Sequence, residues 1–546
     1  MSAERTGRRS PVARGGAMAV SRETYDYIVV GAGSAGCALA GRLSEDPDVA
    51  VALIEAGPPA QGRLFEIPSL FSQQLKTTFD WDFATEPESQ LGGRRIYLPR
   101  GRAIGGTSSM NTMLYVRGHR YDYDTWERMG NTGWSYDDVL PFFKKSEDNQ
   151  RGADHFHGTG GPLTVSDPTS VHPLLTAWVE AAQDAGHKSN PDFNGAEQEG
   201  VGHHQVTQRN GLRWSSASAF LTPAAERPNL TVLHSTTALR LVFDGTRARG
   251  LEVDHLGAVR TLGVDREIVL SLGAYNSPHL LLQSGVGPAD ELTQGGVAPL
   301  HDLPDVGRNM QDHAGCFISF FSHTEPLLGP DTSREEQQLR EQGSGPMAWN
   351  EVGGFFRTDD SLPAPDIQVH AALGIVRDEG LAAPLEPGMS FGPYVARPSS
   401  RGSVRLRHSH PYAKPRIVHN YLDDEDDRRR LREGLRLCMR IARESRLTDL
   451  LESDLSAAAD AGLAPVSDRD EDIDDFIRTQ SFSFYHPSGT CMMGKVVDSE
   501  LRVLGLENVR VADTSIMPSL VTGNTNAPAI MIGERAASFI RSSSRP

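Results

Sequence analysis

The sequence predicts an α/β fold that opens on a Rossmann-like unit, and three observations carry that expectation. Residues 25–30 form an apolar strand-like run that meets a glycine-rich turn, a helix-like stretch and a second apolar run ending at Glu55. Residues 267–272 pass directly into Gly273 and another helix-like segment, as a strand returning to the same sheet would. The chain's 546 residues also exceed one ordinary core, which calls for two domains or one large interleaved pair.

Each glycine of the opening unit has a distinct task. Gly31 permits the tight turn out of the strand, Gly33 lets the backbone approach a pyrophosphate, and Gly36 lets the following helix lie close to the sheet. Ser34 stands at the helix N-terminus, whose free N–H groups receive phosphates. Glu55, nineteen residues past Gly36, is placed to accept hydrogen bonds from both ribose hydroxyls. A lone Gly-x-Gly-x-x-Gly is a weak signal, but strand, helix and acid at these distances make a dinucleotide site, for FAD or NAD. The acid disfavours NADP because it would repel a 2′-phosphate.

Composition narrows the class further. Hydrophobic content of 38% and charged content of 23% suit a soluble globular chain, and a net charge of −17 without a basic block would repel the backbone of nucleic acid. The four cysteines, Cys37, Cys316, Cys438 and Cys491, show no CxxC spacing, so a reducing compartment is expected and a disulfide is not. No apolar run reaches the roughly 18 residues of a membrane span. Residues 1–23 carry Arg8, Arg9 and three further arginines but no apolar centre for a secretory signal. They read as a disordered leader, with Met18 as a second candidate start, and the chain as cytoplasmic.

Further along, residues 99–109 hold Gly101, Gly105 and Gly106. They read equally as a surface loop or as a loop whose backbone approaches a flat or phosphorylated ligand. From 230 to 272 short β runs alternate with turn signals, and Pro278 is expected near the first turn of the helix after Gly273. Between about 317 and 479 alternating strands appear, such as residues 366–370 and 403–407. Within that region, residues 423–430 run from acidic to basic and read as a solvated helix, with Asp424/Arg428, Glu425/Arg429 and Asp426/Arg430 paired at i,i+4.

Near the C-terminus His486 sits in a glycine-flanked turn, and Asn524 precedes a final helix. Imidazole is the side chain best able to take a proton near neutral pH, yet one histidine among 18, taken alone, is better read as a structural hydrogen-bonding group. His155 with His157, His203 with His204, and His408 with His410 lack a third ligand at metal-site spacing, so no metal is expected. Neither a GxSxG elbow nor a GK[ST] loop is present, and Cys491 lies near His486 in sequence only.

Five separated blocks then fall in order between residues 25 and 541: the 31–36 glycines with Glu55; Leu98-Pro-Arg-Gly-Arg102-Ala-Ile-Gly105-Gly106-Thr-Ser108-Ser-Met110-Asn111-Thr-Met113; Gly273-Ala-Tyr-Asn-Ser-Pro278 through Gly287; Asp305 through Asp312-His313; and the His486 and Asn524 turns. Together they resemble the glucose-methanol-choline (GMC) oxidoreductases. The resemblance implies FAD rather than NAD, in an FAD-binding domain drawn mainly from residues 24–320 and 480–546, with substrate-domain insertions near 61–95 and 165–205. It implies an α+β substrate domain on an antiparallel sheet, mainly residues 321–479. His486 takes the place of the family's active-site base and Asn524 that of its partner. Arg102, Gly105, Gly106, Ser108, Asn111 and Met113 fall along the isoalloxazine and pyrophosphate, with Val232, Asp513 and Thr525 as further cofactor contacts.

Members with a covalently attached flavin carry a histidine where Met110 aligns; a thioether cannot form that bond, so the FAD is expected to be non-covalent. The implied reaction is oxidation of a small-molecule alcohol to an aldehyde or ketone by hydride transfer to flavin N5. His486 takes the hydroxyl proton, Asn524 steadies the alkoxide, and O₂ or another acceptor reoxidises the cofactor. An FAD-containing hydroxynitrile-lyase-like enzyme without net redox, or a non-catalytic flavoprotein, would share these motifs. Trp349, Phe391, Phe484 and Tyr485 are the aromatic candidates for the pocket lining.

Overall fold

The computed structural model describes residues 23–323, 331–377, 379, 381, 387–452 and 454–543. The leader expected at 1–23 lies outside these residues apart from Glu23. Two seven-stranded sheets organise the chain. In the first, Thr24–Val30 is central, with Val51–Ile54 and Ala258–Leu270 parallel on its two sides. Leu230–Leu233 extends one flank and Val509–Val511 pairs with the end of Ala258–Leu270. Residues 27–30 and 51–54 are buried on both faces, as strands of a parallel sheet covered on either side must be. Their carboxyl ends bring Gly31, Glu55 and Ser271 to one edge, where open α/β sheets bind ligands.

The helix Ser34–Leu43 follows at once and packs against the C-terminal helix Asn526–Ser543. It approaches the first turn so closely that a Cβ on Gly36 would stand 1.9 Å from the Gly31 carbonyl oxygen. Only glycine fits there. The helix Gly273–Gln283 departs from expectation, because Pro278 lies in its interior rather than in its first turn. A proline at 278 leaves the Ala274 carbonyl without its helical donor, and the Thr490 hydroxyl donates to that carbonyl instead at 2.6 Å.

The second sheet is antiparallel and runs Phe482–Ser483, Ala314–Gly315, Gly388–Val395, Ile367–Leu373, Val352–Phe356, Gly200–His203, with Ile318–Phe321 also on Gly388–Val395. Helices Pro173–Asp184 and Glu425–Ala442 pack on it. Period two then sorts the side chains of Ile367–Leu373. Ile367, Val369 and Ala371 join Trp178, Leu431 and Leu435 in the core, while His370 and Ala372 line a cavity on the opposite face. The charged run at 423–430 is a helix start, as expected, but two of its three i,i+4 pairs do not form. Asp424 caps the helix by accepting from the Asp426 N–H, and the pairs shift to Glu425–Arg428 and Asp426–Arg429, with only Asp426–Arg430 kept.

Candidate active site

A cavity of about 1060 Å³ is lined by residues of both sheets and their loops. That exceeds the space a small substrate needs and matches a dinucleotide plus substrate. One side is a floor of backbone. Gly31, Gly33 and Ser34 line it, and the helix behind them has no side-chain cap, which leaves its N-terminal N–H groups free for a phosphate. Gly106, from the 99–109 loop, also lines it, and a Cβ there would stand 2.7 Å from the Gly33 Cα. The two glycine turns are therefore stacked, which makes this loop part of the site rather than a surface loop.

Glu55 accepts from the Ala32 N–H at 3.1 Å and the Gly57 N–H at 2.8 Å, and burial pushes its carboxyl up to about 7. Its remaining lone pairs face the cavity it lines. Asp513 also lines the cavity, where it accepts from the Gly273 and Ser515 N–H groups and the Ser277 hydroxyl; burial raises its carboxyl. Arg102, Asn111, Met113 and Thr525 line it too, as does Met110.

Four expected contacts stand elsewhere. Gly36 serves helix packing, as described. Gly105 and Ser108 lie behind the wall, the Ser108 hydroxyl donating to the Gly105 carbonyl at 2.6 Å, so they shape the loop from beneath. Val232 sits on the flanking strand, 37% exposed, and does not line the cavity. Thr236, Thr237 and Ala238, at the start of the next strand, line the cavity instead. Phe391 is likewise buried against Trp178 and Phe320 in the second core, whereas Trp349, Phe484 and Tyr485 do line the cavity.

The opposite wall is made of side chains. His486 Nε2 is 3.2 Å from Asn524 Nδ2, and its Nδ1 is 2.9 Å from His313 Nδ1. His313 Nε2 is 3.0 Å from the Ala396 carbonyl oxygen, which can only accept. His313 therefore carries its proton on Nε2. Burial pushes it down to about 4, so it is neutral and its Nδ1 is an acceptor. His486 must then donate Nδ1–H to it, which leaves the His486 Nε2 lone pair facing Asn524 and the cavity. Burial, followed by His313, His370 and Arg100, holds His486 well below the usual histidine range, so it too is neutral at pH 7.

Asp312 fixes this loop from below. Its carboxylate accepts from the His486 N–H at 2.7 Å, the His313 N–H at 2.9 Å, and the Tyr421 and Ser483 hydroxyls at 2.6 Å each. Tyr485, just before the base, takes φ +69°, a left-handed conformation that such a ring adopts only when its surroundings impose it.

Sequence reasoning missed most of this wall. Glu351 and His370 line the cavity, joined at 2.8 Å, and Trp349 Nε1 donates to the other Glu351 oxygen at 3.0 Å. Gln368 and Tyr394 stand behind Asn524. Buried Arg213 donates to the Ser108 carbonyl at 3.2 Å and to Asn111 Oδ1 at 2.9 Å, anchoring the loop that carries Gly105 and Gly106. The alternation of residues 366–370 placed Gln368 and His370 on one face, but no signal said which face met the site. Among the described residues no cluster of metal-ligating side chains occurs. His157 instead pairs with Glu147 and Asp192, and His408 and His410 lie in the irregular segment after the strand Ser403–Arg405. All four cysteines are free and buried, and burial pushes the Cys491 thiol far up, which makes it inert.

A glycine-cradled dinucleotide floor facing a histidine–amide wall defines a nucleotide-cofactor oxidoreductase. The chain belongs to the GMC oxidoreductases: that family matches its residues 25–315 and 398–533, and its cofactor is FAD. It is 40% identical to mitochondrial choline dehydrogenase of Homo sapiens, over 95% of this chain and 90% of that protein. It is 39% identical to an oxygen-dependent choline dehydrogenase of Brucella anthropi, over 94% and 95% of the two chains. The solved structure of pyridoxine 4-oxidase from Mesorbium loti superposes with a TM-score of 0.86 at 34% identity, over 95% of this chain and 99% of that one. Among the described residues no helix is long and apolar enough to cross a membrane.

Proposed function

We propose that this chain oxidises a cationic, choline-like alcohol to its aldehyde, with His486 as the general base and FAD held non-covalently. The observation that carries the reading is the pair at the wall: an unprotonated Nε2 beside the Asn524 NH₂ group, an acceptor next to a donor, both opening on the cavity. An alcohol needs that combination. The alcohol comes between the two: its oxygen takes over the Asn524 N–H that Nε2 otherwise accepts, and the Nε2 lone pair so released takes the hydroxyl proton as negative charge grows on that oxygen. FAD, when bound, takes the hydride that leaves the carbon as the C=O bond forms.

Gly31, Gly33, Ser34 and Gly106 fit a pyrophosphate, Glu55 the ribose hydroxyls, and Arg102, Asn111, Met113, Asp513 and Thr525 the remainder of the cofactor. Met110 lines the cavity where a covalent link would need a histidine, so acid precipitation should leave the flavin in the supernatant.

Glu351 supports the cationic substrate. It is a buried carboxylate lining the cavity, and among the described residues its side-chain partners are His370 and Trp349 rather than a lysine or arginine. Trp349, Phe71, Phe484 and Tyr485 offer aromatic faces to the same space. A carboxylate among aromatic rings is the setting that recognises a quaternary ammonium. The names of the choline dehydrogenase relatives agree with this. The unpaired cysteines support a reducing, cytoplasmic compartment.

The test is the visible spectrum of the holoenzyme, recorded anaerobically with choline, glucose, benzyl alcohol and simple alkanols in turn. Choline should bleach the flavin and neutral alcohols should do so poorly. Flavin that no alcohol bleaches would overturn the redox reading in favour of proton-transfer chemistry.

A further inference from the structure

Behind the site wall a single hydrogen-bonded chain joins the base to the carboxylate. From one end it runs Ala396 carbonyl, His313, His486, Asn524, Gln368, His370, Glu351. Both ends are groups that can only accept, so every proton position between them is fixed by counting donors. Asn524 gives an N–H to His486 Nε2, so its Oδ1 faces Gln368, 3.3 Å from Gln368 Nε2. That nitrogen is also 3.0 Å from His370 Nε2. Its two N–H groups therefore point in opposite directions, one to the amide beside the base and one to the imidazole beside Glu351. His370 in turn gives Nδ1–H to Glu351 at 2.8 Å.

His370 decides which way round the Gln368 amide sits: its proton goes from Nδ1 to Glu351, so its Nε2 can only accept, and Gln368 turns its NH₂ towards it and its oxygen away. The Tyr394 hydroxyl donates to Gln368 Oε1, and both residues are fully buried. They are direct cross-strand partners in the pairing of Ile367–Leu373 with Gly388–Val395, so the register of the sheet sets this contact. Neither side chain lines the cavity. With the amide reversed, Asn524 would have to reverse too, His486 would carry its proton on Nε2, and His313 would need both nitrogens protonated, which its burial opposes.

We propose that Gln368, held by His370 and Tyr394, is a positioning residue that sets the hydrogen-bond direction of the whole wall and so keeps His486 Nε2 unprotonated on the substrate side. This deepens the proposed alcohol oxidation and rests on His486 being its base. A scaffold role alone would need only a side chain of the right volume. The direction of the chain needs an amide with two donors on one nitrogen and an acceptor on the other atom, which Gln supplies and Glu or Met does not.

Two measurements test it. Neutron diffraction from deuterium-exchanged crystals of the FAD-bound protein, near pD 7, reads the protons without any turnover. Deuterons are expected on His313 Nε2, His486 Nδ1 and both Gln368 Nε2 positions; one on His486 Nε2, with the Gln368 oxygen towards Asn524, would overturn the assignment even if no alcohol proves to be a substrate. The second is the pH dependence of anaerobic flavin reduction in Gln368→Glu, which keeps the volume and loses the donors. Its limiting rate should fall ~10²-fold, with KM nearly unchanged and the acid limb moved up by more than one pH unit. Tyr394→Phe should lose ~10-fold, and the double variant no more than Gln368→Glu alone, because Tyr394 acts through Gln368. If Gln368→Glu does not fold, Tyr394→Phe carries the test. A wild-type rate and pH profile in the folded variant would sink the positioning role while leaving the alcohol oxidation standing.

Discussion

The two sides of the cavity are built on opposite principles. The floor uses backbone: glycines at 31, 33 and 106, a free helix N-terminus, and a carboxylate at the end of a strand, most of it from one stretch of about thirty residues with one loop laid across it. The wall uses side chains from strands and turns far apart in the chain, at 313, 351, 368–370, 394, 486 and 524, joined by a chain of hydrogen bonds. Backbone cradles tolerate no added atom and carry no chemistry of their own. Side-chain networks tolerate shape changes but depend on where each proton sits. Floor variants should therefore lose cofactor, and wall variants should keep the cofactor and lose rate.

The largest effect that would break this division is at His486. His486→Ala should keep FAD and slow anaerobic flavin reduction by about 10²- to 10⁴-fold; flavin loss instead would place the residue with the floor. Next comes Glu351→Gln, for which kcat/KM on choline should fall about 10- to 100-fold through KM, while a neutral alcohol of similar size changes little. Equal losses on both substrates would remove the charge argument.

On the floor, Gly36→Ala puts a Cβ where 1.9 Å is available to a carbonyl oxygen, so the helix must move. A destabilisation of at least ~1–3 kcal/mol and weakened FAD retention are expected in denaturant titration and flavin content. Unchanged turnover per bound flavin would confirm that the glycine serves the cradle alone.

The smallest effect concerns pH. Burial raises Glu55 from an ordinary 4.5 to about 7, so folding favours its protonated form. Its contribution to stability is present in full below pH 4.5 and is lost as pH rises through 7. In FAD-free protein, Glu55→Gln removes that loss, so the Tm of the variant relative to wild type should climb from pH 4.5 to 7.5. A constant difference across that range would show that the carboxyl is not desolvated. At the wall the sign is the reverse. His486 is held below the ordinary histidine range, so the base stays unprotonated into mild acid, and flavin reduction should show no histidine-like loss near pH 6.5.

How much of each region was legible follows from the same contrast. Gly31, Gly33 and Glu55 could be read because a strand–turn–helix–strand unit fixes their relations within one local stretch. His486 and Asn524 were legible only through their resemblance to the GMC blocks. Val232 does not line the cavity, and its β run could not show this, because such a run places a residue in a strand but does not say whether that strand flanks the site or faces it. Pro278 was misplaced by a few residues because a tertiary donor, the Thr490 hydroxyl, made a helix-interior proline acceptable.

The sequence by itself determined the dinucleotide unit and the absence of metal-ligand and disulfide spacings, since each depends on residues at fixed short separations, and the oxidoreductase family through blocks that fall in order along the whole chain. Only the tertiary structure decided the wall. Gln368 meets Tyr394 because two strands pair in one register, and a slip of one residue would turn both to the other face. The tautomer of His486 depends in turn on a carbonyl at Ala396, 90 residues away in the chain. Proton positions follow from which donors and acceptors meet in space, and that is a property of long-range packing rather than of local order along the chain.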